Sequence, residues 1–401
     1  MPVRWNYVHW LQQLLDTTSE TYKEDYDDER EVLGVDIGTG ASAIYPLLAC
    51  KTRPQWRVFA MEIDETSAEW ARKNVELNEL SQNIRVTPVK GDSPPMIPEV
   101  IQKRSEPADF CMTNPPFYKS LEDMQNSKLN KTASPHATCT GWEREMIYPG
   151  GDEGFVNRII DESLKLREKV RWYTAMLGKL ESLENIVKRL RREGITNFAV
   201  TCLQAGNKTK RWAVGWSFGD YLPRNDVARH GELVKSVLPQ VTEHTVSALS
   251  FTREEATSKV DEIMKAIQGE KLSWRWNATT KTGIMECQAN MWSRNARRQQ
   301  ARNKDVEMGD GDEDEEDDVE MTNGTDDDED RMKDVVLAAK LIVHSSVGKR
   351  HPPWNNFEPP PDVYDEKETG SEVEVRWLRG RDWNLFQSFC GMLKAQLKTK
   401  G

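Results

Sequence analysis

The residues of this chain best suited to chemistry are Asn114-Pro115-Pro116-Phe117, which end the apolar run ADFCMT at 108–113. Two consecutive prolines remove two backbone donors and fix two φ angles, so a strand must stop there. The residue before a proline is pushed away from helical angles. What remains is a stiff bend carrying one amide and one aromatic ring. An exocyclic amine on an aromatic ring is a poor nucleophile, because its lone pair is delocalised into the ring. Two acceptors that grip its N–H bonds, the Asn114 side-chain oxygen and the Pro115 carbonyl, would localise that lone pair and aim it. No strong base is required; the effect is positioning and electrostatics. Phe117 would stack on a base withdrawn from its helix or loop.

A methyl donor has its own candidate site. VDIGTGAS at 35–42 follows a strand and opens a helix, which is the context of a loop that cradles a nucleotide. Asp36, two residues before Gly38, would repel a pyrophosphate but suits the sulfonium and ammonium of S-adenosylmethionine. Gly38, Gly40 and Ser42 form the loop, and Glu62 at the end of the next strand is placed to accept from ribose hydroxyls. Asp92 and Ser93 follow the third strand, beside the expected adenine edge. With Asn114, polar groups close four successive strands.

Such groups need a parallel α/β sheet to hold them, and the pattern from about 30 to 220 reads as one. Strands are expected at 31–37, 57–62, 84–89, 108–113 and 170–177, with helices at 42–50, 64–80 and 182–193. NFAVTCLQ (197–204) and KRWAVGWSF (210–218) alternate without a helix between them and read as an antiparallel hairpin. Residues 117–155 read as a long loop at the carboxyl end of the fourth strand, a position that favours function. The second half reads as α-β-β-β-β-α: a helix at 252–268, strands at 271–277, 282–291, 335–345 and 373–378, and a helix at 382–398. The expected domains are therefore a Rossmann-like α/β domain at 1–220, a linker at 221–250 and a smaller α+β domain at 251–401.

The net charge of −11 hides a basic fold. Residues 305–330 carry sixteen acids and no Lys or Arg, and without them the chain is at +5. A polyanionic partner is compatible with that balance, and the acidic run, with its flanks at 303–333, reads as a solvated disordered loop. The six cysteines show no CxxC or ordered Cys/His spacing, which argues against zinc or a disulfide framework and for a reducing compartment. No metal is expected. No apolar run reaches the length of a membrane span, and the N-terminus lacks the even apolarity of a signal peptide, so a soluble intracellular protein is expected.

VRWNYVHWL, GVDIGTGASAIYPLL, ARKNVELNEL, CMTNPPF, GGDEGF, VRWYTAMLGK and KRWAVGWSF occur in that order across residues 1–218. Together they resemble class I adenine-N6 methyltransferases, and specifically the family of the U6 small nuclear RNA adenine-N6 methyltransferase and its bacterial ribosomal-RNA relatives. The resemblance implies S-adenosylmethionine binding by Arg4, Gly38, Glu62, Ser93 and Asn114, catalytic positioning by Asn114 to Phe117, and RNA contacts from Lys208 and Arg211. Structured RNA, U6 among the candidates, is the partner it implies; a monomer and nuclear residence follow, the latter helped by RNARRQQAR at 294–302. The 118–155 loop offers Lys119, Lys128, Lys131, His136 and Arg144, and Lys128 and Lys131 are taken as further RNA contacts. Members of that family usually carry a basic module before the VRWNY segment. Met1 lies almost on that segment here, so the module is expected to be absent or the start assigned too late. The second half is similar in order to a kinase-associated type of small RNA-binding domain. There Trp274, Trp276, Trp292, Trp377 and Trp383, with Arg294, Arg297, Arg298, Arg376, Arg379 and Arg381, are candidates for stacking on and gripping RNA, the alternative being that most of the tryptophans are core.

Two other readings stay open on residues alone. N5 methylation of a protein glutamine poses the same lone-pair problem, although enzymes of that group tend to have Tyr after the prolines and lack KRWAVGW. A non-catalytic RNA-binding protein that senses the cofactor is the third.

Overall fold

A computed structural model of the chain describes residues 2–91, 94–129, 146–205, 209–249, 251–293, 334–345 and 370–398. The chain divides into two compact units, Met1–Gln240 and Val241–Gly401.

The first unit opens with a helix that the strand-and-loop reading did not assign, α1 (Pro2–Thr17). Its buried side chains Tyr7, Val8, Trp10, Leu11, Leu14 and Leu15 recur at helical spacing and form one stripe. There follow β1 (Val32–Ile37), α2 (Ile44–Thr52), β2 (Trp56–Glu62), α3 (Glu65–Leu77), β3 (Ile84–Pro88), the short α4 (Glu99–Gln102) and β4 (Ala108–Thr113). After these come α5 (Leu121–Leu129), α6 (Gly151–Leu166), β5 (Val170–Leu177), α7 (Leu180–Arg192), β6 (Phe198–Ala205), β7 (Thr209–Trp216), the short α8 (Asn225–Ala228) and β8 (Arg229–His230). The strands make one sheet in the order β3-β2-β1-β4-β5-β7-β6-β8. The first five are parallel. The expected hairpin is present, with β7 antiparallel to both β5 and β6.

Apolar residues fill both faces of this sheet. Phe110 and Met112 of β4 pack with Tyr7, Leu11, Ala49 and Val75 on one side, while Cys111 packs with Val156, Ile159, Ile186 and Leu190 on the other. The strand period of two divides β4 between the two cores. Gly34 is required in β1, because a Cβ there would stand 2.1 Å from the Phe110 ring.

Two segments differ from expectation. The 117–155 stretch holds α5, and the first turn of α6 as well, and is closed by a parallel bridge between Tyr118 and Ile147. The 221–250 stretch, expected as a linker, contains α8 and β8, which joins the first sheet, and then β9 (Glu243–Leu249). Short strands flanked by Pro, Gly and charge resemble a linker until they find an edge to pair with.

In the second unit, β9 makes a fifth strand where four were expected. The element order is β9, α9 (Arg253–Ile267), β10 (Leu272–Asn277), β11 (Thr282–Cys287), β12 (Leu337–Ser345), β13 (Ser371–Gly380) and α10 (Trp383–Lys398). The sheet runs β10-β11-β12-β13-β9, antiparallel throughout. Thr252 and Glu255 start α9 with a capping box. The acidic run falls between β11 and β12 and lies outside the described residues, as do Arg294, Arg297 and Arg298.

Burial decides between the two aromatic readings for three of the five tryptophans. Trp274, Trp292 and Trp377 are 7%, 3% and 3% exposed and belong to the core. Trp377 stacks on Phe386, and Trp292 donates to Ser388. Arg376 is buried as well, and burial pushes its guanidinium down to about 9. Only Trp276 and Trp383 of the five tryptophans keep partial exposure, and Arg381 is exposed.

Candidate active site

The chain runs outward from β1 through β2 to β3, then crosses back to β4 on the other side of β1. The carboxyl ends of β1 and β4 therefore flank the switch point, where open α/β sheets bind ligands. Ile37 and Thr113 are register partners, so Gly38 and Asn114 leave the sheet side by side.

The glycine loop follows its sequence closely. Gly38 and Gly40 have φ of +74° and +66°, a region that other residues enter with strain. No atom lies within 4 Å of where a Cβ would sit on either glycine, so the loop leaves open space in front of its backbone. The N–H groups of Gly38 and Thr39 donate to the Met61 carbonyl at 3.0 and 2.8 Å. Ser42 is exposed in the turn before α2, and no side chain caps that helix.

Glu62 ends β2 nearly buried, and its carboxylate organises the surrounding backbone. Oε2 accepts from Gly40 N–H at 2.7 Å, and Oε1 accepts from Ile63 and Asp64 N–H at 2.9 and 3.0 Å. Glu62 thus shapes the glycine loop. Beside it Ile63 is 63% exposed, a large apolar side chain that sequence reasoning passed over. Its signal was an apolar residue directly after the acid at a strand end.

Asp36 is fully buried. Its two oxygens, together with Thr39 Oγ1 and Asn114 Oδ1, are buried without a hydrogen-bond partner. Burial pushes the Asp36 carboxyl up to about 7; the Thr39 hydroxyl opposes that rise, and the Glu62 carboxylate adds to it. Arg4 on α1 approaches this corner through Tyr45, whose phenol burial raises and Arg4 lowers. The buried oxygens of Asp36 and Asn114, with the Thr39 hydroxyl beside an open glycine loop, fit a ligand that brings N–H, O–H and positive charge. S-adenosylmethionine supplies all three. Asp92 and Ser93 lie outside the described residues.

Asn114 is held from beneath. Thr113 Oγ1 donates to the Ile37 carbonyl at 2.8 Å, and Thr113 N–H lies 3.4 Å from Tyr7 Oη. Tyr7 Oη pairs with Thr174 Oγ1 at 2.8 Å, and that hydroxyl donates to the Cys111 carbonyl at 2.9 Å. This chain of hydroxyls fastens β4 to β1, β5 and α1. Pro115 is buried, while Pro116 and Phe117 are half-buried. The Phe117 ring packs against Gly178 after β5, and the Arg211 guanidinium carbon of β7 lies 5.4 Å from its centre. Of the other cations, Lys131 and Lys208 lie outside the described residues, as does the side chain of Lys128.

A sheet of this order, with such an acceptor set at its carboxyl edge, defines the class: a class I methyltransferase that uses S-adenosylmethionine. The profile of a family described as RNA methyltransferase matches residues 1–220. A "U6 small nuclear RNA (adenine-(43)-N(6))-methyltransferase" of Schizosaccharomyces pombe is 29% identical over 401 residues, covering 99% of this chain and 86% of that protein. The "RNA N(6)-adenosine-methyltransferase" METTL16 of Homo sapiens is 39% identical over 223 residues, covering 55% of this chain and 38% of its own length. The Xenopus laevis protein of the same name is 36% identical, covering 64% of this chain and 46% of its own. A solved human METTL16 catalytic domain, in complex with a MAT2A 3′UTR hairpin, aligns with a TM-score of 0.46 at 36% identity over 54% of this chain and 70% of that one. The chain thus spans most of the fission-yeast relative and under half of the vertebrate ones. It belongs to this RNA methyltransferase family.

Proposed function

We propose that this protein transfers the methyl group of S-adenosylmethionine to N6 of an adenine in structured RNA, with U6 small nuclear RNA as the substrate. The observation that carries the reading is Asn114 Oδ1, a buried amide oxygen without a protein partner, at the switch point and on a proline-stiffened bend. The cofactor, when bound, would supply an electrophilic methyl group, its sulfur keeping the S–CH3 electron pair so that the leaving group is the neutral thioether S-adenosylhomocysteine. Asn114 Oδ1 and the Pro115 carbonyl accept from the two N6 hydrogens and turn the lone pair toward that methyl. Phe117 supports the base by stacking. The proton leaves N6 as the new bond forms and passes to water, since Asn114 has no basicity to take it. No metal enters this scheme.

Arg211, Lys208, Lys128 and Lys131 are proposed to contact phosphates. In the second unit Trp276, Trp383 and Arg381 are proposed to add affinity, Trp274, Trp292 and Trp377 being core. The protein is proposed to act as a monomer in the nucleus. Incubation with labelled cofactor and U6 RNA tests the reading. Transfer to adenine that falls at least about 100-fold in Asn114→Ala supports it; no transfer to any structured RNA sinks it.

A further inference from the structure

Asp152 is a nearly buried carboxylate with no part in the chemistry above, yet it sits behind the aromatic ring that chemistry depends on. It is the second residue of α6, 4% exposed. Oδ2 accepts from Gly178 N–H at 2.7 Å. Oδ1 accepts from the Ser182 hydroxyl at 2.8 Å and from Glu153 N–H at 2.8 Å. One side chain thereby ties the first turn of α6 to the β5–α7 turn and to the first turn of α7. An anion is well placed between two helix N-termini.

Gly178, the residue so held, is the surface on which Phe117 rests. A Cβ at 178 would stand 2.8 Å from Phe117 Cδ1 and 3.4 Å from Asp152 Oδ2, so the ring and the carboxylate both lie beside this glycine. The contact also closes from the other direction. A Cβ on Gly151 would lie 3.2 Å from the Phe117 carbonyl, and Tyr118 pairs through both its backbone groups with Met146 and Tyr148, just before α6. Phe117, Tyr118, the Tyr148–Asp152 turn and Gly178 form a closed circuit, and Asp152 is the polar link that completes it.

We propose that Asp152 is a positioning residue for methyl transfer: by fixing Gly178 it sets the depth and tilt of the Phe117 ring, and through the ring the placement of the target base. The proposal rests on the reading of Phe117 as the stacking residue. Asp152 touches neither the glycine loop nor Glu62 through any of these bonds, so its effect falls on base placement and spares cofactor binding. Misplacement by an ångström at a reacting centre can cost about 100-fold in rate. Asp152→Asn keeps the shape but retains only one acceptor oxygen for three donors and turns an NH2 toward one of them. Asp152→Glu keeps the carboxylate on a longer arm.

The test uses the full chain labelled with fluorinated phenylalanine, the Phe117 resonance being assigned by its loss in Phe117→Leu. In Asp152→Asn the Phe117 resonance shifts or broadens, kcat on RNA falls at least about 10-fold, and the dissociation constant for S-adenosylmethionine stays within about twofold. Asp152→Glu recovers most of kcat. Gly178→Ala, with the carboxylate intact, reproduces the kcat loss by pushing the ring directly, and serves if Asp152→Asn does not fold. An unmoved Phe117 resonance with unchanged kcat overturns the proposal. So does a kcat loss matched by equal loss of cofactor affinity and not recovered by Asp152→Glu, which is general destabilisation. If the wild-type chain methylates no RNA, the function reading fails by itself, and the resonance still reports whether Asp152 sets the ring.

Discussion

The Arg211 guanidinium lies over Phe117, its central carbon 5.4 Å from the ring centre. Stacked planes need about 3.5 Å each, so that gap does not admit a base between the two. Either the base takes the opposite face or Arg211 leaves to a phosphate when RNA arrives. Arg211→Ala should weaken RNA binding about 3- to 10-fold and lower the slope of log affinity against log salt by about one. Filter binding at several salt concentrations measures both, and an unchanged slope would remove Arg211 from the phosphate contacts.

Asp36 gives a pH signature. Its carboxyl stands at about 7 in the folded protein against an ordinary value of 3.8. Between those values the native state holds a proton that the unfolded state releases, so the cofactor-free protein loses stability as pH rises from about 4 to 7 and then levels off. The total is bounded at about 4 kcal/mol. Asp36→Asn should therefore raise the melting temperature more at pH 8 than at pH 5 while weakening cofactor binding. In wild type, calorimetry near pH 6.5 in buffers of different ionisation enthalpy should show a proton released on cofactor binding, as positive charge drives the carboxyl to ionise. Buffer-independent heats would contradict this.

Glu62 accepts from three backbone donors, and on the proposal that it also binds the cofactor ribose, Glu62→Gln should cost on two counts. Its amide can accept through one oxygen only, leaving Gly40 or the Ile63–Asp64 pair without a strong acceptor. A dissociation constant for S-adenosylmethionine raised about 10- to 100-fold is expected by isothermal titration. Loss below about twofold would place the ribose elsewhere.

Tyr7→Phe removes the hydroxyl at the centre of the buried chain beneath Asn114. Thr174 Oγ1 loses one of its two partners, keeping the Cys111 carbonyl, and Thr113 N–H loses its nearest side-chain acceptor, at a cost of about 1–3 kcal/mol by urea denaturation. Because Thr113 precedes Asn114, kcat should fall as well, with cofactor affinity nearly preserved. A stable variant of full activity would show that this network does not position Asn114.

Much of this site was readable because it is local. ADFCMT-NPPF and VDIGTG each place their own functional atoms through backbone rules that act within a few residues, and β4 runs over the expected residues 108–113. α1 was equally local, its stripe of Tyr7, Val8, Leu11, Leu14 and Leu15 standing at helical spacing, although Trp5, His9 and Trp10 among polar residues blur that period. Asp152 was not readable. It lies in GGDEGF, but its meaning depends on Gly178 and Ser182, 26 and 30 residues away, brought to it by two helix starts. In VEVRWLRG the period of two already sets Trp377 on the face of Val373 and Val375, whereas its stacking on Phe386 depends on where α10 packs.

The most direct test of the central claim is single-turnover transfer to U6 RNA at saturating S-adenosylmethionine, with the product digested to nucleosides and identified by mass. N6-methyladenosine formed by wild type, with the rate lowered at least about 100-fold in Asn114→Ala under the same saturation, is the expected result. Methyl transfer that proceeds at the wild-type rate without the Asn114 amide, or a methyl group found anywhere other than adenine N6, would contradict it.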